Sequence, residues 1–389
     1  MKTCITAARL LTPDDVIENP VLVIDDGVVQ SFASQAAMQI PLTAKRLEFP
    51  DLVIAPGFID VHVHGGAGHD VMQDDPSGRM AFERALARHG VTSYLPTTVT
   101  AAMERILGAV DRLGNIIAAE DGPHAHIGAK PLGIHLEGPF ISPAKCGVHP
   151  AEQLIAPTPE LFEKVWDASG GTLRMMTIAP ELTGAAEVIR QARERGVASS
   201  MGHSNATFSE AMKGIAAGAV SATHTFNAMR ALDHREPGII GAVLGSDHVM
   251  ADIIADGIHV APAIVKMFLN AKGVARAILI SDAISATGMP DGSYQLGAFH
   301  VQVRGERCEY LGRLAGSVLT LDRAVRNVMS FAEWNLQHSV MLATGNPARL
   351  IGARRKGAIA VDNDADLAFL TSEGNVMHTM IAGRMAAES

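Results

Sequence analysis

The sequence predicts an α/β protein: a TIM-like (β/α)8 barrel with a small β-sandwich domain assembled from both termini. Three observations carry this. Between residues 55 and 354, eight apolar runs alternate with segments of helical period, the pattern of successive βα units on parallel strands. Towards both ends the texture changes to short β-branched runs punctuated by turn residues. Histidines and carboxylates fall where the apolar runs stop, the end at which barrel enzymes carry their chemistry.

Residues 1–54 form the first part of the small domain. Val21-Leu22-Val23-Ile24 and Val28-Val29 flank Asp25-Asp26-Gly27, and Asp-Gly between two such runs predicts a hairpin. Residues 355–389 read the same way, with Gly357 to Val361, the turn residues Asp362-Asn363-Asp364, then Leu367 to Leu370 and Val376 to Ile381. The barrel strands are expected near Gly57–Val63, Thr92–Thr98, Gly133–Glu137, Arg174–Ala179, Ala198–His203, Ala222–Thr225, Met250–Ala255 and Ala277–Ser281. Between them, Asp75-Pro76 and Thr158-Pro159 put a capping side chain before a first-turn proline, Thr207 to Glu210 fits a capping box, and Gly90 and Gly196 are helix stops. Further helices are expected after about Thr320.

Composition removes several function classes. A net charge of −9 without a Lys/Arg run argues against nucleic acid, whose phosphates are bound by clustered positive charge. Met1 to Leu11 lacks the apolar core of a signal peptide and no stretch approaches a membrane span, so a cytoplasmic protein without a membrane partner is expected. Cys4, Cys146 and Cys308 are too few and too scattered for a disulfide framework or a zinc knuckle.

The first strand runs into His62-Val63-His64. Residues two apart on a strand share a side, so both imidazoles can face the barrel mouth. The third ends in His135-Leu136-Glu137, the fifth in Gly202-His203-Ser204, the sixth in Thr223-His224, and the eighth in Ser281-Asp282-Ala283. One histidine at a strand end is ordinarily a hydrogen-bonded structural residue. Several separate strand ends agreeing point instead to a metal site of Glu137, His203 and His224, with His62 and His64 as an additional pair and Asp282 for proton transfer.

These stretches resemble the amidohydrolase superfamily, and within it the N-acetylglucosamine-6-phosphate deacetylase family, over nearly the whole chain. The resemblance is carried by Pro56-Gly-Phe-Ile-Asp-Val-His-Val-His-Gly65, His135-Leu-Glu-Gly-Pro-Phe140, Lys145-Cys-Gly-Val-His149, Gly202-His-Ser204, Thr223-His-Thr-Phe-Asn-Ala-Met229, His234-Arg-Glu-Pro-Gly238, Asp256-Gly-Ile-His259, Ser281-Asp-Ala283 and Leu314-Ala-Gly-Ser317. It implies removal of an acetyl group from an amino-sugar 6-phosphate with one or two divalent ions, zinc first, with iron, manganese or cobalt as alternatives. It implies Glu137, His203 and His224 as ligands, Asp282 as acid/base and His149 as a contact of the acetamide. It further implies that Asn227 and Ala228 touch substrate, that Arg235 and His259 meet the phosphate, and that Val148, Ala315, Gly316 and Ser317 contact the sugar. The family resemblance also implies a homodimer in which some of these groups come from the partner. Cys146 stands where the family often carries a basic or polar residue.

Rival readings are the galacto-sugar deacetylase, an N-acyl-amino-acid deacylase, a cyclic-amide hydrolase and, from another class, a non-catalytic barrel scaffold. Many cyclic-amide hydrolases bridge two metals with a lysine on the fourth strand. Here that strand reads Arg174-Met-Met-Thr-Ile-Ala179 without one, and Glu137 supplies the anionic ligand from the third strand.

Overall fold

The computed structural model describes residues 2–38, 43–119 and 127–386. Strands at Phe58–Val63, Val91–Pro96, Ile134–Glu137, Leu173–Ile178, Ala198–Met201, Ser221–Ala222, Ala251–Ile253 and Ala277–Leu279 occupy the eight expected places. A helix follows each of them, from Pro76–Arg88 after the first to Leu321–Ala332 after the eighth. The first and second strands pair in parallel, as do the third through sixth in order, and the seventh with the eighth.

Hydrogen bonds link these groups in turn. Thr97 bridges His135 in parallel fashion between the second and third strands. Ala222 N–H donates to Met250 O at 3.1 Å between the sixth and seventh. The eighth returns to the first, with Asp282 N–H on His62 O at 3.0 Å and His64 N–H on Ala283 O at 2.8 Å. The strands are buried on both faces, and their aliphatic side chains form the main core with the helices around them.

Local signals explain the starts and stops. The Asp75 side chain accepts from Ser77 and Gly78 N–H, Thr158 accepts from Leu161 N–H, and Thr207 and Glu210 form the full capping box. Gly90 and Gly196 follow their helices at φ of 79° and 74°, in the left-handed region that favours glycine.

Both ends of the chain build one eight-stranded sheet, including Thr3–Leu11, Lys45–Pro56 and Leu367–Leu370 side by side. Its hairpin lies where expected, with Asp25 opposite Val28 and both Asp26 and Gly27 at positive φ. The sheet curls, since Val28 also bridges Asp364, and it encloses a second core containing Ile5, Leu22, Ile54 and Phe369.

One element was not anticipated. Gly292–Leu296, Phe299–Arg304, Arg307–Tyr310 and Arg313–Leu314 form a four-stranded antiparallel meander after the eighth strand. Asp70 ties it down by accepting Gly297 N–H at 2.7 Å, and Gln73 donates to Gln295 at 2.6 Å. Among the described residues no helix is long and apolar enough to cross a membrane, and all three cysteines are free.

Candidate active site and metal centre

The expected strand-end residues meet. His203, His224 and Asp282 lie just past the ends of the fifth, sixth and eighth strands, at φ of 45°, 31° and 50°. Left-handed backbone is disfavoured for a residue with a Cβ, and such departures gather at functional positions. Here they turn three side chains inward.

Glu137 is the hub. Its Oε1 lies 3.1 Å from His224 Nε2, 3.3 Å from His203 Nε2 and 3.4 Å from His62 Nε2, and its Oε2 lies 3.3 Å from His64 Nε2. Asp282 Oδ1 is 3.3 Å from His62 Nε2 and 3.2 Å from His64 Nε2. All six side chains are buried or nearly so. Two adjacent groups result, His62 with His64 and Asp282, and Glu137 with His149 and His203.

Hydrogen-bond partners fix which ring nitrogens carry protons. His64 Nδ1 faces Thr97 O at 3.0 Å and His203 Nδ1 faces Lys145 O at 3.0 Å. A carbonyl only accepts, so each Nδ1 carries hydrogen and each Nε2 can turn a lone pair to the centre, as metal-ligating histidines do. His149 is the reverse: Thr100 N–H donates to its Nδ1 at 3.3 Å, so its hydrogen sits on Nε2, 3.5 Å from Glu137 Oε2. His149 is therefore a donor into the site.

The donor set fits a cation. His203 Nε2 and His224 Nε2 approach to 3.1 Å, and His62 Nε2 and His64 Nε2 to 3.2 Å, lone-pair sites packed together beside two carboxylates. Burial pushes the Glu137 carboxyl up, but the surrounding imidazoles, His62 foremost, hold it well below its usual range. Burial likewise opposes ionisation of Asp282, yet the neighbouring His62 and the His64 hydrogen bond bring it down to about 2. Burial alone would lower His64; its bonds to Asp282 and Glu137 push it up to about 10, so this corner demands positive charge. His149 falls to about 4 through burial and stays neutral.

A cavity of about 250 Å³ opens above the hub, lined among others by His64, Val148, His149, Asn227, Ala228, His259 and Gly316. Asp256 accepts His259 Nδ1–H at 2.7 Å and the amides of Ile258 and His259 at 2.8 Å, which aims the ring. Three expected contacts lie elsewhere. Arg235 is exposed and outside this cavity. Ala315 and Ser317 sit behind Gly316, the Ser317 hydroxyl donating to Ser281 O at 2.6 Å.

Several carboxylates, two of them fully buried, were not singled out from the sequence. Asp60 accepts the amides of His62 and Ser281, each at 3.3 Å, and burial raises it to about 6. Asp252 accepts the amide of His224, and burial raises it to about 7. Glu181 holds Ser204 and Asn205 beside His203. The only sequence sign of the first two is an acidic residue inside an apolar run.

A fold of parallel strands with imidazoles and carboxylates meeting at their C-terminal ends defines a metal-dependent hydrolase class, and the chain belongs to the amidohydrolase family, whose model matches residues 53–386. It is 36% identical to N-acetylglucosamine-6-phosphate deacetylase of Bacillus subtilis over 380 residues, 97% of this chain and 95% of that one. It is equally 36% identical to N-acetylgalactosamine-6-phosphate deacetylase of Escherichia coli O157:H7, each covered in full. Among solved structures, a mutant N-acetyl-D-glucosamine-6-phosphate deacetylase from Mycobacterium smegmatis, in complex with N-acetyl-D-glucosamine-6-phosphate, superposes with a TM-score of 0.92 at 33% identity, with 100% of both chains covered.

Proposed function

We propose that this chain removes the acetyl group of N-acetylglucosamine 6-phosphate, giving glucosamine 6-phosphate and acetate. The observation that carries the reading is the convergence of His62, His64, His203 and His224 on Glu137 within 3.4 Å, with Asp282 beside them. The circuit of parallel strands supports closure as a (β/α)8 barrel over residues 55–354, with a β-sandwich domain from 1–54 and 355–389.

Glu137, His203 and His224 would hold the principal ion, and His62 and His64 a second beside Asp282. Zinc suits this mixed nitrogen and oxygen set, with iron, manganese and cobalt as alternatives. When bound, such an ion polarises the acetyl carbonyl and lowers the pKa of water towards ~7.

An acetamide needs help at both ends, because water is a poor nucleophile and an amine a poor leaving group. The Asp282 carboxylate takes a proton from the attacking water. His149 donates its Nε2–H to the carbonyl oxygen as negative charge builds there. As the C–N bond breaks, Asp282 returns the proton to the sugar nitrogen and acetate departs. Asn227, Ala228, Val148 and Gly316 line the sugar position, with Ala315 and Ser317 shaping that wall. His259 holds the phosphate, and Arg235, exposed beyond its own cavity, serves the site of a homodimer partner. The free thiols support a reducing compartment, the cytoplasm.

The test measures acetate release from N-acetylglucosamine 6-phosphate, its galacto epimer, both unphosphorylated sugars, N-acetyl-amino acids and cyclic amides, with metal analysis of the same sample. The phosphorylated gluco sugar should be fastest. A faster epimer would reassign the sugar, a faster cyclic amide the reaction, and no turnover with no metal would leave a scaffold.

A further inference from the structure

The four imidazoles around Glu137 are oriented in two ways. His64 and His203 are fixed through their rings, whose Nδ1 atoms bond main-chain carbonyls. His62 and His224 are not, for the Nδ1 of each has no hydrogen-bond partner among the described residues. Their ring positions therefore follow the main chain. In both cases a buried carboxylate holds that main chain: Asp60 Oδ1 takes the His62 amide and Asp252 Oδ1 takes the His224 amide.

The arrangement at His224 is the more demanding. His224, Phe226 and Ala228 lie at φ of 31°, 81° and 49°, so the turn visits the left-handed region three times without a glycine. A turn of this kind persists only where its surroundings over-determine it. Asp252, on the seventh strand, does so with two contacts: its Oδ1 accepts His224 N–H, and its carbonyl accepts Thr225 N–H at 2.9 Å. Asp252 is fully buried and its Oδ2 has no hydrogen-bond partner among the described residues. An isolated buried carboxylate is costly, and an aliphatic residue would fill this strand position more cheaply. Packing does not account for Asp252; its bond to the His224 amide does.

We infer that Asp252 is a positioning residue for metal capture, holding His224 by its amide so that Nε2 meets the ion together with Glu137 and His203. The inference rests on the proposed assignment of those three ligands. It deepens that assignment by placing its control on a strand that contributes no ligand.

Three variants separate the parts of the side chain. Asp252→Ala removes the acceptor, Asp252→Leu removes it while filling the space, and Asp252→Asn keeps it. Zinc affinity of chelator-stripped protein is measured by competition with a coloured chelator, alongside far-UV circular dichroism and the visible spectrum of the cobalt-loaded protein. The alanine and leucine variants should fold yet bind zinc roughly 10- to 100-fold more weakly, the scale on which outer partners of ligands act. The asparagine variant should stay close to the parent in affinity and spectrum. Parent-like zinc affinity in the folded alanine or leucine variant would overturn the inference, as would an asparagine variant as weak as alanine. Failure of both acceptor-less variants to fold without metal also counts against it, since the contact would then hold the fold and not the ligand. If the parent protein takes up neither zinc nor cobalt, the ligand assignment itself fails, and that outcome is distinguishable from the others.

Discussion

Asp282 shows how much a single side chain can decide. Its Oδ1 sits within 3.3 Å of two imidazoles at the edge of the cavity, and the carboxyl stays ionised. Asp282→Asn preserves shape and can still face the cavity, but cannot take that proton. Acetate release should fall by about 10²- to 10⁴-fold, the usual worth of a general acid/base, with metal content unchanged. Near-normal turnover would remove Asp282 from the chemistry. The imidazoles and carboxylates that converge around Glu137 were readable because such residues are unusual at the ends of apolar runs. Asp60, Asp252 and Glu181 were not, because each works on main-chain amides, three of which belong to residues far along the chain, and an acidic residue inside an apolar run is the only mark the first two leave. Ser317 is the converse: a hydroxyl beside the site that turns away to Ser281 O.

Secondary-structure elements bring these side chains together, and their junctions tolerate little change. Gly138 follows Glu137 at φ 67°, and a Cβ there would stand 1.9 Å from Thr100 Oγ1, the hydroxyl beside His149. Gly138→Ala therefore disturbs Glu137 and His149 together. It should lower the melting temperature, on the order of 1–3 kcal/mol of destabilisation, and reduce kcat. Gly108, on the exposed face of helix Met103–Ala119, meets nothing within 4 Å, and Gly108→Ala should stabilise by up to about 1 kcal/mol. Thermal unfolding of the pair checks both signs, and equal shifts would contradict the close approach at Gly138. The parallel strands were legible from their apolar runs, as were the helices from their caps. The antiparallel meander was not, although its turns fall at Gly297-Ala298, Gly305-Glu306 and Leu311-Gly312, two-residue hairpin loops with positive φ at every one of these glycines and at Leu311. Only Phe299–Arg304 alternates cleanly between apolar and polar, the other three strands being short or mixed, so that one strand and the regular glycine spacing were the signals that could have found it.

The whole molecule depends on ties between distant elements, and the clearest is electrostatic. Asp322, at the start of helix Leu321–Ala332, lies 3.1 Å from His89 Nδ1 and 2.7 Å from Arg326 NH1. Burial pushes its carboxyl up, but those partners hold it well below the usual range. The native state thus binds fewer protons than the unfolded chain, so this contribution is complete above about pH 4 and is lost as pH falls further. Asp322→Asn should flatten the acid limb of a stability profile below about pH 4, and an unchanged limb would place the acid sensitivity elsewhere. Assembly makes the larger demand. His259 lines the cavity with its ring held by Asp256, while Arg235 of the same chain is exposed outside it. A phosphate with two negative charges is better met by a guanidinium fork as well as an imidazole. If Arg235 completes the site across a homodimer, specific activity on the 6-phosphate should decline on dilution through the dimer dissociation range, measured with light scattering on the same samples. Arg235→Ala should raise KM for the phosphorylated sugar by about 10-fold or more, the loss of one charge-assisted contact, and leave the unphosphorylated sugar unaffected. Mixing Arg235→Ala with Asp282→Asn subunits then separates the two arrangements. Each homodimer is impaired, but a mixed dimer pairs an intact Asp282 with an intact Arg235 in one of its two sites only if the arginine crosses between subunits. Recovered turnover on mixing confirms the shared site, and its absence in a verified heterodimer confines Arg235 to its own chain.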